Sequence, residues 1–140
     1  MDLLQLLTGA ERLLGRRFAT ILDGHGRTLD DWRVISLLAD GAGHPMTELA
    51  ERAFLPPASL TRLVDHLVDE NLLYRRVDDL DRRRIRAYLT PRGRRLHQRI
   101  GQELQADLRE LYATSDGQEH LSRSLSALID ALSPAALSSR

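Results

Sequence analysis

The chain has 140 residues, enough for one domain with a hydrophobic core, and its formal net charge is zero. It has no apolar run near the roughly 18 residues that indicate a membrane helix and no signal-peptide pattern, so we expect a soluble, cytoplasmic protein with no membrane partner. Because the chain has no cysteine, a disulfide framework, a thiolate metal site and a thiol redox sensor are excluded.

The charges are distributed unevenly along the chain. Residues 75–99 carry ten arginines against three aspartates, a balance of +7, and the remaining residues carry a balance of −7. A basic cluster on an acidic body is the electrostatic pattern of a nucleic-acid-binding protein. A solvated charged surface accounts for the same count, so the cluster alone leaves both interpretations open.

The first predicted element is an amphipathic helix over residues 2–22, whose apolar residues recur at alternating steps of three and four. Its apolar face is broader than a small domain needs. After a glycine-containing break at residues 23–26, Thr28 is the expected N-cap of a second helix, with Asp31 completing a near capping box. We expect that helix to bury Trp32, Ile35 and Leu38.

The next elements are a short strand at Met46 and a short helix that Thr47 caps and that ends near Ala53. A turn at residues 54–57 leads into another helix, which Pro57 opens because proline is tolerated in a first helical turn. Asn71 ends this helix in the left-handed conformation. Its apolar residues lie on one face, which leaves Ser59, Arg62, Asp65 and His66 on the other.

Two short strands, residues 72–77 and 85–89, enclose a charged loop and predict a β-hairpin. A long helix starts at residues 90–91 and breaks near residues 114–117, where Asp116 with Glu119 predicts the cap of a final, leucine-rich helix. The terminal helices have more apolar surface than one chain covers, so we expect a homodimer with interdigitating terminal helices. The alternative is that they pack on the chain's own core.

Residues 28–96 resemble the winged helix-turn-helix core of the MarR family of bacterial transcriptional regulators. The likeness is carried by Trp32, the ELA turn at 48–50, the LTRLVD segment at 60–65, Asp81 with Arg83, and the LTPRG segment at 89–93. It implies a mainly α-helical fold with a small β-hairpin wing. The expected parts are an N-terminal dimerisation helix and connecting loop (1–27), a winged helix-turn-helix DNA-binding domain (28–90) and C-terminal dimerisation helices (91–140).

The resemblance implies a transcriptional regulator that binds double-stranded DNA as a homodimer, and we expect a repressor of a pseudo-palindromic operator. The helix that begins at Pro57 would enter the major groove by its N-terminal end, because acidic residues in its C-terminal half repel phosphates. The candidate contacts on this helix are Ser59, Thr61, Arg62 and His66.

The hairpin tip, or wing, would enter the neighbouring minor groove, whose negative potential attracts arginine. Its candidate residues are Asp81, Arg82, Arg83 and Arg84, with Asp81 placed to brace the loop and aim Arg83. The alternative is an exposed Arg83 paired with Asp78 or Asp79. The candidate phosphate contacts are Arg75, Arg76 and Arg86, and more loosely the three arginines at the start of the next helix, Arg92, Arg94 and Arg95.

Family members commonly bind small phenolic or anionic effectors between the dimerisation helices and the DNA-binding lobe. The candidate effector-pocket residues here are Arg16, Arg17, His25 and Trp32. The chain departs from the family pattern at the recognition helix, with Pro56 at a usual capping serine, Ala58 at a usual hydroxyl and His66 at a usual arginine.

The sequence contains no convergent set of catalytic residues: its five histidines are scattered, and no glycine-rich phosphate loop follows a strand. Asp78, Asp79 and Asp81 lack the glycine and distal glutamate of a calcium loop. We therefore expect no enzyme, no cofactor and no metal site. A winged-helix module for protein interaction, RNA binding or non-specific nucleic-acid binding remains the alternative function.

Overall fold

The structure is a computed structural model that describes residues 1–112 and 115–133. These residues form a mainly α-helical fold with a small antiparallel sheet, which confirms the predicted fold class. The helices are α1 (Leu3–Asp23), α2 (Leu29–Leu37), α3 (Met46–Ala53), α4 (Pro57–Asp69), α5 (Pro91–Leu111) and α6 (Ser115–Leu132). The strands are β1 (His44–Pro45), β2 (Leu73–Val77) and β3 (Ile85–Leu89), and a 3₁₀ turn covers Leu38–Asp40.

The chain divides into two compact units, residues 1–102 and residues 103–140. The first unit contains α1 to α4, the three strands and the first part of α5, and the second contains the rest of α5 and α6. The helix break predicted at residues 114–117 is wrong for residues 115–117, which form the first turn of α6. Residue 114 and the tail beyond Ser133 lie outside the described residues. Across the described residues, no helix combines the length and the apolar character needed to span a bilayer.

Reciprocal side-chain caps begin the first two helices. The backbone N–H of Gln5 donates to the Asp2 carboxylate at 2.8 Å, and the Gln5 amide oxygen accepts from the backbone N–H of Asp2 at 3.0 Å. The predicted cap at Thr28 is confirmed: Asp31 N–H donates to Thr28 Oγ1 at 3.1 Å, and Thr28 N–H donates to the Asp31 carboxylate at 3.0 Å. Each box satisfies helix donors that would otherwise lack partners.

The core of the first unit is formed by one face of each of its helices together with the sheet. The burial predicted for Ile35 and Leu38 is confirmed, whereas Trp32 is half-buried. Burying an aliphatic side chain of this size contributes about 1.5–3 kcal/mol, and this packing holds α4 against α3. Side chains that are at most 1% exposed include Leu22, Val34, Ile35, Leu38, Leu49, Leu60, Val64, Leu67, Leu73 and Ile100.

The start of α3 differs from its prediction. The short strand is His44–Pro45, which pairs with Ala87 and Arg86 of β3, and Met46 is already the first residue of α3. Pro45 occupies the N-cap position without a side-chain hydrogen bond, so Thr47 lies inside the helix and does not cap it. Proline's fixed φ, −59° here, suits both the end of a strand and the entry to a helix.

The two ends of α4 confirm the predictions made for them. Pro56 precedes the helix with ψ 144° and Pro57 is its first residue, where a missing N–H costs nothing. Asn71 follows the helix with φ 59°. Its N–H donates to Val68 O at 2.9 Å, and Leu72 N–H donates to Leu67 O at 2.9 Å, as expected of a left-handed helix end.

The wing is the hairpin of β2 and β3, in a sheet with strand order β1-β3-β2. Leu73 lies opposite Leu89 and Val77 opposite Ile85, so residues 78–84 form the loop at the tip. Tyr74 and Tyr88 lie directly opposite each other and stack with ring centroids 5.2 Å apart. Cross-strand aromatic pairs of this kind stabilise a two-stranded ribbon.

A buried threonine and a glycine join the wing to α5. Thr90 Oγ1 donates to Asn71 O at 2.7 Å and accepts from Gly93 N–H at 3.0 Å, which caps α5. A Cβ added at Gly93 would lie 2.1 Å from Leu72 O, closer than atoms can approach. These contacts give the LTPRG segment a structural role, because they hold the start of α5 against the end of α4.

The second unit presents a partly apolar helix. Leu121, Ile129 and Leu132 of α6 are 44%, 65% and 63% exposed. Asp116 lies in the first turn of α6, which begins one residue earlier, so the expectation that Asp116 caps the helix is wrong. A carboxylate in a first helical turn still interacts favourably with the helix dipole.

Candidate nucleic-acid interface

The N-terminal half of α4 presents a polar face free of acidic residues. Thr61 and Arg62 are exposed and Ser59 is half-buried, while Leu60 and Val64 fill the core on the opposite side. Thr61 Oγ1 donates to Pro57 O at 3.0 Å. In the described part of the chain, no carboxylate pairs with Arg62, so its guanidinium is available to a ligand.

The C-terminal half of α4 and the residue after it are acidic, and two of these carboxylates, Asp65 and Glu70, contact basic side chains of the same chain. Arg75 Nη2 contacts Asp65 Oδ1. His66 Nε2 lies 3.1 Å from Glu70 Oε1, and Arg27 Nη2 lies 2.5 Å from Glu70 Oε2. Two of the predicted DNA-contact residues, His66 and Arg75, therefore each lie against a carboxylate of the same chain.

A buried carboxylate organises the base of the loop at the wing tip. Asp78 accepts hydrogen bonds from Leu80 N–H and from Arg86 Nε, both at 2.9 Å. The backbone N–H of Leu80 and then the Arg86 guanidinium hold the pKa of Asp78 below its ordinary value of 3.8. Arg86 Nη1 also donates to Gly43 O at 3.0 Å, so Arg86 ties the wing to the segment before β1.

The wing tip carries three exposed arginines. The carboxylate of Asp81 accepts from the backbone N–H of Arg83 at 3.1 Å and from its Nε at 3.2 Å, while the Arg83 side chain remains 92% exposed. The acidic partner of Arg83 is thus Asp81 and neither Asp78 nor Asp79. Within the described residues, Arg82 and Arg84 have no ion-pair partner. The tip can present several guanidinium groups to an anion.

The four candidate effector residues lie in different surroundings. Arg16 lines a cavity of about 480 Å³ on α1 and α2, together with Arg12 and Arg33. His25 lines a second cavity, of about 360 Å³, with Glu70 and Leu72, which follow α4, and with residues of α5. Trp32 stacks on His97 with ring centroids 5.1 Å apart, and burial lowers the pKa of His97 below its ordinary 6.5. Arg17, also in α1, is exposed.

Three features beside this surface were missed by sequence reasoning. Phe54 and Leu80 are 92% and 95% exposed, and they precede α4 and occupy the wing tip. His44 is buried, with Nε2 2.8 Å from Asp40 Oδ2 and Nδ1 3.4 Å from Glu48 Oε1. No sequence pattern around these residues predicts their exposure or burial. Over the described ranges, no three His, Asp or Glu side chains group as metal ligands would.

Comparisons with known proteins agree with this geometry. The MarR family model matches residues 25–84, from the loop before α2 to the wing tip. The transcriptional regulator FarR of Neisseria gonorrhoeae is 33% identical over 98 residues, which are 70% of this chain and 67% of FarR. The homoprotocatechuate degradative operon repressor of Escherichia coli is 26% identical over 114 residues, 80% of this chain and 77% of the repressor.

The fold also matches solved structures over nearly its whole length. The crystal structure of NadR in complex with 4-hydroxyphenylacetate superposes with a TM-score of 0.81 at 28% identity, covering 91% of this chain and 92% of NadR. The likeness extends beyond the DNA-binding core to the terminal helices. The chain therefore belongs to the MarR family of winged helix-turn-helix transcriptional regulators.

Proposed function

We propose that this chain represses transcription by binding, as a homodimer, a pseudo-palindromic operator in double-stranded DNA. The observation that carries the proposal is the wing tip, where Arg82, Arg83 and Arg84 are exposed and Asp81 holds Arg83 by two hydrogen bonds. An arginine held in this way loses less conformational freedom when it enters the minor groove, so more of its electrostatic attraction appears as affinity.

We infer that α4 enters the major groove by its N-terminal end. Ser59, Thr61 and Arg62 lie at that end, and Arg62 can donate two hydrogen bonds to guanine O6 and N7. Asp65 and Asp69 follow on the helix and Glu70 directly after it, and phosphates would repel them. His66, which pairs with Glu70, is proposed as a peripheral contact.

The three candidate phosphate-contact arginines on the wing strands have different roles in this proposal. Arg76 is exposed, and we assign it a contact with the DNA backbone. Arg75 is held by Asp65 and Arg86 by Asp78, so we assign these two mainly to bracing the wing. Their charge still adds to the basic field around the wing.

Dimerisation is proposed from exposed apolar side chains in the terminal helices. In α1, Leu3, Leu4 and Leu13 are 61–74% exposed. Soluble monomers rarely expose several large apolar side chains on one helix. We propose that residues 1–27 and 91–140 form the dimer contacts and that residues 28–90 bind DNA. A two-fold dimer of this kind reads two half-sites about 10 bp apart.

A small phenolic or anionic effector is proposed by analogy with relatives. The matching NadR structure contains 4-hydroxyphenylacetate, and the E. coli relative is named for homoprotocatechuate degradation. The candidate contacts are Arg16, Arg17, His25 and Trp32. An effector would release DNA if it bound more tightly to a lobe spacing that cannot engage both half-sites.

The first test selects DNA ligands from random duplexes with the purified protein and titrates salt on the enriched sequence and a scrambled duplex. We expect an enriched palindrome with half-sites about one helical turn apart. A steep salt dependence without enrichment would leave only non-specific nucleic-acid binding. Absence of binding at low salt would overturn the DNA-binding proposal for the free protein.

The second test substitutes the wing and the recognition helix separately. Arg83→Ala should weaken operator binding by about 1–3 kcal/mol and lower the salt slope by about 1, with the dimer intact. Arg62→Ala should additionally change the preferred base at one position. The matched control is Arg123→Ala, which removes an exposed arginine from α6. Equal affinities of Arg83→Ala and the control would contradict the wing assignment.

A further inference from the structure

A second basic feature of the first unit is formed by residues outside the wing strands and outside α4. It is a cavity of about 360 Å³ whose lining includes His25, Arg27, Arg92, Arg95 and Arg99, with Glu70 as its acidic member. We call it the arginine cleft. Its volume is at the lower end of the range for small-molecule sites. Four arginines around one carboxylate make it strongly electropositive.

The acidic residue of the arginine cleft does not neutralise the arginines of α5. Glu70 is already bound by Arg27 Nη2 at 2.5 Å and by His66 Nε2 at 3.1 Å. Among the described residues, none forms an ion pair or hydrogen bond with Arg92, Arg95 or Arg99. The α5 arginines thus bring three uncompensated positive charges to one cavity.

The spacing of these arginines places them on one helix face. Residues 92, 95 and 99 of α5 are separated by steps of three and four, the spacing at which helix side chains are neighbours. Like charges at this spacing repel one another. An anion bound between these arginines would attract each of them and so offset their mutual repulsion.

Arg27 adds an unsatisfied donor to the arginine cleft. Its side chain is 13% exposed, and its Nη1 has no hydrogen-bond partner in the described structure, the carboxylate of Asp31 lying 3.7 Å away. Buried guanidinium nitrogens normally have a hydrogen-bond acceptor. An acceptor brought in by a ligand would satisfy this group.

We propose that the arginine cleft binds a phosphate-bearing anion. Guanidinium groups bind phosphate oxygens through paired, charge-assisted hydrogen bonds, and several arginines suit a group with more than one negative charge. The apolar lining is limited to Leu72 and Leu96, which are 3% and 8% exposed, so an aromatic acid would find little surface to pack against. The phosphate comes from a free metabolite or from the DNA backbone, and these two sources are separable by experiment.

The position of Glu70 couples the arginine cleft to the recognition helix. Glu70 directly follows α4, and its ion pair with Arg27 ties the end of that helix to the loop before α2. A phosphate in the cleft competes with Glu70 for Arg27. This coupling rests on the proposed function, because it requires that α4 binds DNA, whereas phosphate binding itself does not. If α4 binds DNA, the bound anion changes the protein's affinity for the operator, and the bound operator changes its affinity for the anion by the same factor.

The first experiment titrates inorganic pyrophosphate into the full-length protein by calorimetry, without DNA and at constant ionic strength. We expect saturable binding of one pyrophosphate per chain. The double substitution Arg95→Gln and Arg99→Gln should weaken it at least about tenfold, since it removes two charge-assisted contacts. The matched control is Arg94→Gln, on the same helix and also exposed but not lining the cavity. Circular dichroism checks that each variant is folded.

Absence of saturable binding, or equal weakening in Arg94→Gln, would overturn the proposal. A second arm titrates operator DNA into the same variants at the same ionic strength. If the double variant also loses DNA affinity and pyrophosphate competes with DNA in the unsubstituted protein, the DNA backbone occupies the cleft in the complex. If DNA affinity is unchanged, the occupant is a free anion. Because the first arm contains no DNA, its result does not depend on whether the chain binds an operator.

Discussion

At the scale of single residues, Phe54 is the most unusual position of the fold. It ends α3 in the left-handed conformation with φ 56°, and its side chain is 92% exposed. A bulky residue rarely adopts this backbone conformation, because its Cβ approaches the following carbonyl. The sequence shows a turn here but no glycine, so the strain becomes visible only in the structure.

We predict that Phe54→Gly raises the free energy of unfolding by about 1 kcal/mol, because relief of left-handed strain exceeds the extra unfolded-chain entropy of glycine. Urea denaturation measures the change. Phe54→Ala is the control, since it removes the ring and keeps the strain, and it should leave stability nearly unchanged. Equal stabilisation by alanine and glycine would show that the exposed ring, and not the backbone, carries the cost.

At the scale of secondary-structure elements, the wing shows how a hairpin predicted from its sequence depends on contacts that were not predicted. The two strands and the charged loop were expected, and Asp81 braces Arg83 by two hydrogen bonds. The buried carboxylate of Asp78, which joins Leu80 to Arg86, was not singled out. Asp78 is the buried aspartate of this loop, and its carboxylate binds Arg86 of β3.

We predict that Asp78→Asn loosens the wing, because the amide loses the charge that Arg86 binds. Hydrogen exchange of residues 73–89 should become faster, whereas Asp79→Asn, at an exposed neighbouring position, should have little effect. The lowered pKa of Asp78 gives the sign of the pH dependence. The ionised Asp78 carboxylate contributes its full stabilisation of the folded wing above the ordinary pKa of 3.8, and this stabilisation is lost as the pH falls through the lower folded-state pKa. Equal exchange in both variants would contradict this role.

At the scale of the whole molecule, the apolar surface of the terminal helices is the main unexplained feature of an isolated chain. In α1, Leu6 and Leu13 are 48% and 65% exposed, and Leu22 near the end of the helix is fully buried. Burial of an exposed leucine contributes about 1.5–3 kcal/mol, so several leucines along one helix are enough to support association.

We predict that Leu6→Glu combined with Leu13→Glu shifts the protein from dimer to monomer, because two carboxylates would be buried without partners. Sedimentation over a range of protein concentrations measures the change. Thr8→Glu, at an exposed polar position of the same helix, is the control and should leave the dimer intact. A monomeric unsubstituted protein at every concentration would contradict the proposed dimer.

The sequence by itself determined the elements whose causes lie within a few residues of one another. The capping box at Thr28, the proline start of α4, its left-handed end at Asn71 and the hairpin were all predicted, because caps, turns and periodicity depend on neighbouring positions. The start of α3 was assigned incorrectly, because β1 pairs with a strand about 40 residues later.

The tertiary structure decided which of many similar charged residues are bound and which are available. Ten arginines in residues 75–99 look alike in the sequence, but Arg75 and Arg86 are held by carboxylates, while Arg82, Arg84 and the α5 arginines of the cleft are not. An ion pair requires two groups within about 4 Å, and chain folding brings them together from distant positions. The sequence was therefore sufficient to predict that this region is basic. Only the tertiary structure showed which of its arginines brace the wing, which are exposed at the wing tip and which line the arginine cleft.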